Sequence, residues 1–110
     1  MQKKTLLENA RPHYDDEQLA ELEHAIDIAT KAHAGQKRKS GEAYITHPLA
    51  VADTLIEWGM DIDSVLAGVL HDTVEDTDVT TEQIETLFGH DVAFLVDGVT
   101  KVSQARAGMQ

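Results

Sequence analysis

The stretch from Asp61 to Asp76, DIDSVLAGVLHDTVED, decides the fold class of this chain. Its apolar residues recur at intervals of three and four, at Ile62, Val65, Leu66, Val69 and Leu70, with Val74 continuing the same face. This spacing is that of an α-helix with one buried face. Because this helix is the most apolar segment of the chain, we expect it at the centre of the fold.

Helical patterns continue on both sides of this segment. The sequence predicts further helices near residues 15–35, 47–59, 80–89 and from 90 onward. Thr80 and Gln83 form a capping-box pair, and Pro48 suits the first helical position, where its missing N–H costs nothing. No segment alternates between apolar and polar residues with period two, so an all-α fold is predicted. Residues 1–14 form a lead-in with no assigned structure.

Composition restricts the classes of function. A chain of 110 residues with 42% apolar residues and two prolines suits one globular domain. The absence of cysteine leaves only nitrogen and oxygen atoms as metal ligands. Because no apolar run reaches about 18 residues, we expect a soluble, cytoplasmic protein. The net charge of −11 argues against binding to nucleic acids or anionic membranes.

A polar cluster follows the apolar face of the central segment. His71 and Asp72 lie near the end of this helix, and His47 lies at the start of the preceding one. Two imidazoles and a carboxylate favour a divalent ion such as Mn²⁺, Fe²⁺ or Zn²⁺ over a soft ion, and ligand chemistry alone suggests manganese. A His-Asp dipeptide also occurs often by chance, which leaves a purely structural role open.

Two carboxylates follow the cluster. Glu75 and Asp76 lie three to five positions beyond the His-Asp pair, where they would orient or deprotonate a metal-bound water. The alternative is a solvated acidic turn before the next helix, which is the commoner fate of such residues when no family context is considered.

A basic loop, Gly35 to Gly41, interrupts this acidic chain. We expect it to be flexible, with Arg38 as a bidentate phosphate ligand. Its glycines do not match a phosphate-binding loop or a dinucleotide fingerprint, so a charged surface loop is the alternative. The remaining histidines are predicted to be surface or structural residues: His13, His24, His33 and His90.

Four motifs in order carry a resemblance to a known family. They are Ala32–Glu42 with Tyr44–Leu49, then Leu70–Thr77, Phe88–Gly89, and Leu95–Lys101. Over residues 16–103 the chain closely resembles the amino-terminal hydrolase domain of RelA/SpoT-type (p)ppGpp synthetase/hydrolases, which has the HD-superfamily fold. The resemblance implies an all-α HD-domain helical bundle that hydrolyses the 3′-pyrophosphate of (p)ppGpp to GDP or GTP and pyrophosphate.

The resemblance also implies roles for eight positions. They comprise the Mn²⁺ ligands His47, His71 and Asp72, the groups acting on the attacking water, Glu75 and Asp76, and the nucleotide-binding residues Arg38, Lys39 and Ser40.

Two departures from the family pattern modify these expectations. Ala43 replaces a usual proline, which loosens the loop. The chain also stops soon after Lys101, whereas the family continues into helices that supply a further aspartate ligand. We therefore expect residues 1–110 to be a partial HD-type domain with weak or no activity, whose uncovered apolar faces promote self-association. The alternatives are a non-catalytic fragment that binds a nucleotide or a protein, and an HD phosphohydrolase for another nucleotide.

Overall fold

The computed structural model describes the backbone of residues 1–108 and the side chains of residues 1–102. These residues form helices α1 (Lys3–Ala10), α2 (Asp16–Ala32), α3 (Thr46–Glu57), α4 (Ile62–Asp76), α5 (Thr81–Phe88) and α6 (His90–Gly108). Within the same residues, the only β-type pairing is an isolated bridge between Lys37 and Ala43. The predicted all-α class is confirmed.

Helix α4 lies at the centre, as its sequence predicts. It packs against α2, α3 and α6. The side chains of Val65, Leu66, Val69 and Leu70 are fully buried. The middle of the apolar face is therefore part of the core, whereas Ile62 and Val74 at its two ends are partly buried, and the polar residues His71 and Asp72 are held at the edge of that core.

Helix α1 occupies part of the segment that the sequence left unassigned. Its Leu6 and Ala10 are completely buried in the contacts with α2 and α3. Lys3 Nζ lies 2.8 Å from Asp27 Oδ1 and 3.3 Å from Glu23 Oε2 on α2. An eight-residue helix is marginal in isolation, so these tertiary contacts stabilise α1.

The capping signals define two helix starts. Asp15 caps α2 through a capping box, and Thr80 does the same for α5. Two boundaries differ from the prediction: α3 begins at Thr46, which makes Pro48 its third residue, and α4 continues to Asp76. Proline is tolerated there because the first four N–H groups of a helix have no partner within it. Glu75 and Asp76 are therefore helical residues and do not form a turn.

Gly68 allows α3 and α4 to approach each other closely. A Cβ atom added to Gly68 would lie 2.7 Å from Leu55 Cδ1 on α3. This distance is closer than carbon atoms tolerate, so a side chain at residue 68 would require the end of the Leu55 side chain to shift at the contact between α3 and α4. Among the described residues, no helix is both long enough and apolar enough to cross a membrane.

Candidate metal and nucleotide site

His71 and Asp72 lie in the C-terminal part of α4. Asp72 is 8% exposed, because the helix holds it against the core. His71 Nδ1 donates a hydrogen bond to the Gly68 carbonyl oxygen at 3.1 Å, and His71 Nε2 lies 2.9 Å from Asp72 Oδ1. The backbone carbonyl fixes the ring orientation so that Nε2 faces the carboxylate.

His47 approaches the same carboxylate from α3. Its Nε2 lies 3.8 Å from Asp72 Oδ2, the oxygen that does not contact His71. His47 lies in the first turn of its helix, where Thr46 is anchored by a hydrogen bond from its hydroxyl to the Ala43 carbonyl at 2.8 Å. The structure therefore brings together the three residues that the sequence suggested as metal ligands.

The contact between His71 and Asp72 shifts the pKa values of both groups. The hydrogen bond from His71 lowers the pKa of Asp72 below its ordinary 3.8, although burial acts in the opposite direction. The hydrogen bond to Asp72 raises the pKa of His71 above 6.5, again against the effect of burial. Both shifts favour the ion pair of imidazolium and carboxylate.

The chemistry of the three donor groups, two imidazoles and one carboxylate, suits a divalent ion. Two imidazole nitrogens and a carboxylate suit borderline metals, and a histidine whose other nitrogen bonds to a backbone carbonyl is typical of a metal ligand. In the described part of the chain, no group of three His, Cys, Asp or Glu side chains forms a complete metal-ion site. His71 Nε2 and Asp72 Oδ1 contact each other directly, so an ion that used both would have to separate them and displace the imidazole proton.

Asp76 lies one turn beyond Asp72 and joins the cluster through a tyrosine. The Tyr44 hydroxyl lies 3.2 Å from Asp72 Oδ2 and 3.3 Å from Asp76 Oδ2. Glu75 and Asp76 are both exposed, and the negative charge of Glu75 contributes to the raised pKa of His71. Asp76 is therefore held within the cluster, whereas Glu75 influences it through charge.

Tyr44 is the residue that the sequence reasoning missed. Burial is the main cause that raises the pKa of its phenol above 10, followed by the negative charges of Asp72 and Asp76. The phenol therefore remains a proton donor. Its ring stacks on His33, with the ring centroids 4.8 Å apart. The one available signal was its place in the motif three residues before His47.

His33, for which the sequence predicts a surface or a structural role, is buried and hydrogen-bonded. It is 2% exposed, its Nδ1 donates to Gln36 Oε1 at 2.9 Å, and its Nε2 shares a hydrogen bond with Thr73 Oγ1 at 3.1 Å. The histidines at positions 13, 24 and 90 are exposed.

The basic loop forms a compact turn beside Tyr44. Arg38 N donates to the Glu42 carbonyl at 2.9 Å, and Gly41 N donates to the Arg38 carbonyl at 2.8 Å. Gly41 has a φ of 91°, a conformation that favours glycine. These bonds brace the loop that the sequence suggested to be flexible. A cleft of about 690 Å³ lies against it, lined by Lys37, Arg38, Lys39, Ser40, Glu42 and Tyr44.

Comparison with known proteins defines the class of this chain. The profile of a family described as HD domain matches residues 25–109, so the chain belongs to the HD domain family. The motifs quoted above resemble the RelA/SpoT-type proteins within this class, and the relatives found confirm that resemblance.

Three relatives illustrate the similarity. The chain is 50% identical over 97 residues to a GTP pyrophosphokinase of Streptomyces coelicolor, an alignment that covers 88% of this chain and 12% of the relative. It is 48% identical over 100 residues to the guanosine-3′,5′-bis(diphosphate) 3′-pyrophosphohydrolase of Aquifex aeolicus, covering 91% and 14%. It is 46% identical over 91 residues to the bifunctional (p)ppGpp synthase/hydrolase SpoT of Escherichia coli, covering 83% and 13%. The chain thus spans a small part of the length of these relatives.

Proposed function

We propose that this chain belongs to the hydrolase part of an alarmone-metabolising enzyme and acts on the 3′-pyrophosphate of (p)ppGpp. The products are GDP or GTP and pyrophosphate. The supporting observation is the convergence of His47 and His71 on the two oxygens of Asp72, in a chain similar to a relative named as a 3′-pyrophosphohydrolase.

The proposed ion is Mn²⁺, held by Nε2 of His47, Nε2 of His71 and the Asp72 carboxylate. HD-family hydrolysis implies a divalent metal, and manganese is the specific assignment that the donor chemistry favours. When bound, such an ion supplies Lewis-acid polarisation and lowers the pKa of its bound water. The hydrogen bond from His71 Nδ1 to the Gly68 carbonyl would leave Nε2 as the nitrogen that binds the ion.

Glu75 and Asp76 are proposed to orient the attacking water and accept its proton. In the balanced reaction, the water oxygen bonds to the phosphorus atom attached to the 3′ oxygen. The bond between that phosphorus and the 3′ oxygen breaks, and the 3′ oxygen takes up a proton. The position of Asp76 beside Asp72, with Tyr44 between them, supports this role because the acceptor must lie within reach of the water.

Arg38, Lys39 and Ser40 are proposed to bind the phosphates. They line one cleft together with Tyr44, whose hydroxyl contacts the carboxylate cluster. A guanidinium group pairs with phosphate oxygens through two hydrogen bonds, and the adjacent lysine adds positive charge. In a chain with a net charge of −11, this local basic patch favours an anionic ligand here over other surfaces.

One experiment tests the proposal directly. Pyrophosphate release from ppGpp in the presence of Mn²⁺ should be measured for the wild-type chain, for His71→Ala, and for His13→Ala as the control at an exposed histidine. We expect His71→Ala to abolish release and to weaken Mn²⁺ binding, and His13→Ala to change neither. Equal Mn²⁺ binding by wild type and His71→Ala would remove the assigned site.

Nucleotide binding without turnover is the second candidate, because His71 Nε2 contacts Asp72 Oδ1 directly and both atoms are thereby engaged with each other. Nucleotide binding in titration calorimetry without pyrophosphate release would support it.

A nucleotide panel tests the substrate, with Arg38→Ala expected to raise KM. No preference for a 3′-pyrophosphorylated nucleotide would indicate an HD phosphohydrolase of different specificity.

Two further predictions stay with this proposal. Phe94 and Val102 on α6 are 68% and 61% exposed, which supports association of two copies through this surface. Sedimentation at micromolar concentration should show a dimer that Phe94→Ser dissociates, and a monomeric wild type would contradict it.

A cytoplasmic location is also proposed, and cell fractionation tests it.

A further inference from the structure

The Tyr44 hydroxyl lies between two carboxylates with different proposed tasks. It is 3.2 Å from Asp72, the proposed metal ligand, and 3.3 Å from Asp76, proposed to act on water. The two aspartates are four residues apart on α4, so like charges face each other across one helical turn and repel. A phenol has one proton, which these two oxygens share. The hydroxyl therefore offsets the repulsion and holds one oxygen of each carboxylate toward the same point.

The ring of Tyr44 is itself held in place. Its face stacks on the His33 ring with an interplanar angle of 26°. Both nitrogens of His33 are engaged, with Gln36 Oε1 and with Thr73 Oγ1, and Thr73 is fully buried. Rotation of His33 would leave buried polar atoms without partners, which is costly. His33 is therefore a rigid platform for the tyrosine.

The backbone around Tyr44 ties the same residues to the basic loop. Tyr44 N donates to the Gln36 carbonyl at 2.9 Å. Gln36 Nε2 donates to the Asp76 carbonyl at 3.4 Å. The base of the loop that carries Arg38 is thus connected to the last turn of α4 by a side-chain bond from Gln36 and by the Tyr44 hydroxyl. Displacement of Tyr44 would move the loop relative to both aspartates.

From these contacts we infer that Tyr44, supported by His33, is a positioning residue that fixes Asp72 and Asp76 relative to each other and to the phosphate-binding loop. The inference rests on the proposed hydrolysis and adds a residue to which no role had been given. Tyr44 acts through the two carboxylates, so removal of its hydroxyl should impair metal binding and turnover more than nucleotide affinity. A residue that served only to contact substrate from the cleft would change KM instead.

The test compares Tyr44→Phe with Tyr14→Phe. Each variant loses one hydroxyl, and the Tyr14 hydroxyl bonds to the Met60 carbonyl outside the carboxylate cluster. For Tyr44→Phe we expect the Kd for Mn²⁺ to rise and kcat for ppGpp to fall by about 10-fold to 100-fold, the usual effect of losing a partner of a metal ligand. We expect KM to change by less than about twofold, since uniform binding is retained. Tyr14→Phe should match the wild type in all three quantities.

Three outcomes would overturn the inference. A rise in KM with unchanged kcat would make Tyr44 a substrate contact, and wild-type Mn²⁺ affinity in Tyr44→Phe would show that its hydroxyl does not position Asp72. A Tyr14→Phe variant as impaired as Tyr44→Phe would reveal a general stability effect. If the wild type releases no pyrophosphate, the proposed hydrolysis fails, while the Mn²⁺ titration of the two tyrosine variants still decides the positioning of Asp72.

The role of His33 is tested by a double-mutant cycle. His33→Phe keeps an aromatic ring beside Tyr44 but removes both hydrogen bonds of the imidazole. If His33 acts through Tyr44, the loss of Mn²⁺ affinity in His33→Phe/Tyr44→Phe should be smaller than the product of the single losses. Circular dichroism establishes that each variant folds, and strictly multiplicative losses would contradict the coupling.

Discussion

Replacement of Asp72 by asparagine removes one negative charge and keeps the shape of the side chain. The aspartate accepts a hydrogen bond from the imidazolium of His71 at 2.9 Å and one from Tyr44 at 3.2 Å. A hydrogen bond to a charged group stabilises by about 1.5–3 kcal/mol. Loss of repulsion with Asp76 offsets part of this, so we expect Asp72→Asn to lower the free energy of unfolding at pH 6 by about 1.5 kcal/mol.

Thermal melting with and without Mn²⁺ is the assay. For a domain of this size, 1 kcal/mol corresponds to about 4 °C, so the metal-free Tm of Asp72→Asn should fall by about 6 °C. At a Mn²⁺ concentration of about 100 times Kd, the wild type should gain about 2.7 kcal/mol, or about 11 °C. The variant should gain less than half of that at the same concentration.

Asp78→Asn is the matched control, because it makes the same charge change at an exposed position. It should melt close to the wild type and gain the full increase with Mn²⁺. An equal Mn²⁺-induced increase in Asp72→Asn and the wild type would refute the assignment of Asp72 as a ligand. A metal-free Tm of Asp72→Asn at or above that of the wild type would refute the stabilising ion pair.

Three further predictions concern pH, helix spacing and capping. The pKa of Asp72 is lowered in the folded protein, so this group stabilises the fold above pH 3.8, and the stabilisation is lost as the pH falls through the folded-state pKa. The pKa of His71 is raised in the folded protein, so this group stabilises the fold below pH 6.5, and the stabilisation is lost as the pH rises through the folded-state pKa. The stability difference between wild type and Asp72→Asn should therefore be largest between about pH 4 and 6.5 and smaller at pH 9 in urea unfolding. Gly68→Val should displace the Leu55 side chain at the contact between α3 and α4, with a loss of about 1–3 kcal/mol and weaker Mn²⁺ binding, whereas Mn²⁺ affinity equal to wild type would show that the two helices keep their spacing. Asp15→Ala removes the capping box of α2 and should cost about 1 kcal/mol in the same urea assay without a change in Mn²⁺ affinity.

Local signals account for the helices that the sequence could predict. Asp15 and Thr80 form capping boxes with residues three positions away, so both partners are visible in a short window of sequence. Helix α1 lacks such a signal, since its N-cap Gln2 makes no side-chain cap. Its order depends on the burial of Leu6 and on ion pairs of Lys3 with α2, which are contacts between distant segments. Contacts between distant segments leave no periodic pattern in the sequence, so α1 could not be predicted from it.

The residues of the site also differ in whether the sequence could predict them. His47, His71 and Asp72 have recognisable ligand chemistry and a motif, and the structure places them together, although their roles stay predictions. Tyr44 and His33 lie within the first of the four motifs, but the motif does not indicate what they contact: the tyrosine is 28 residues from Asp72 in sequence, and the histidine is 40 residues from Thr73. Their importance comes from hydrogen bonds and stacking that form only when α2, α4 and the basic loop meet.

The contribution of Leu6 to the core has a practical consequence for anyone who trims this protein. The region shared with the HD domain family starts at residue 25, in the middle of α2, yet the apolar interior also includes Leu6, Ala10 and Leu22. A recombinant fragment cut at residue 25 would lose these three side chains and open a water-accessible gap beside α3. The boundaries of an expressed fragment should therefore be chosen so that all residues of the buried core are included, which means that α1 is kept.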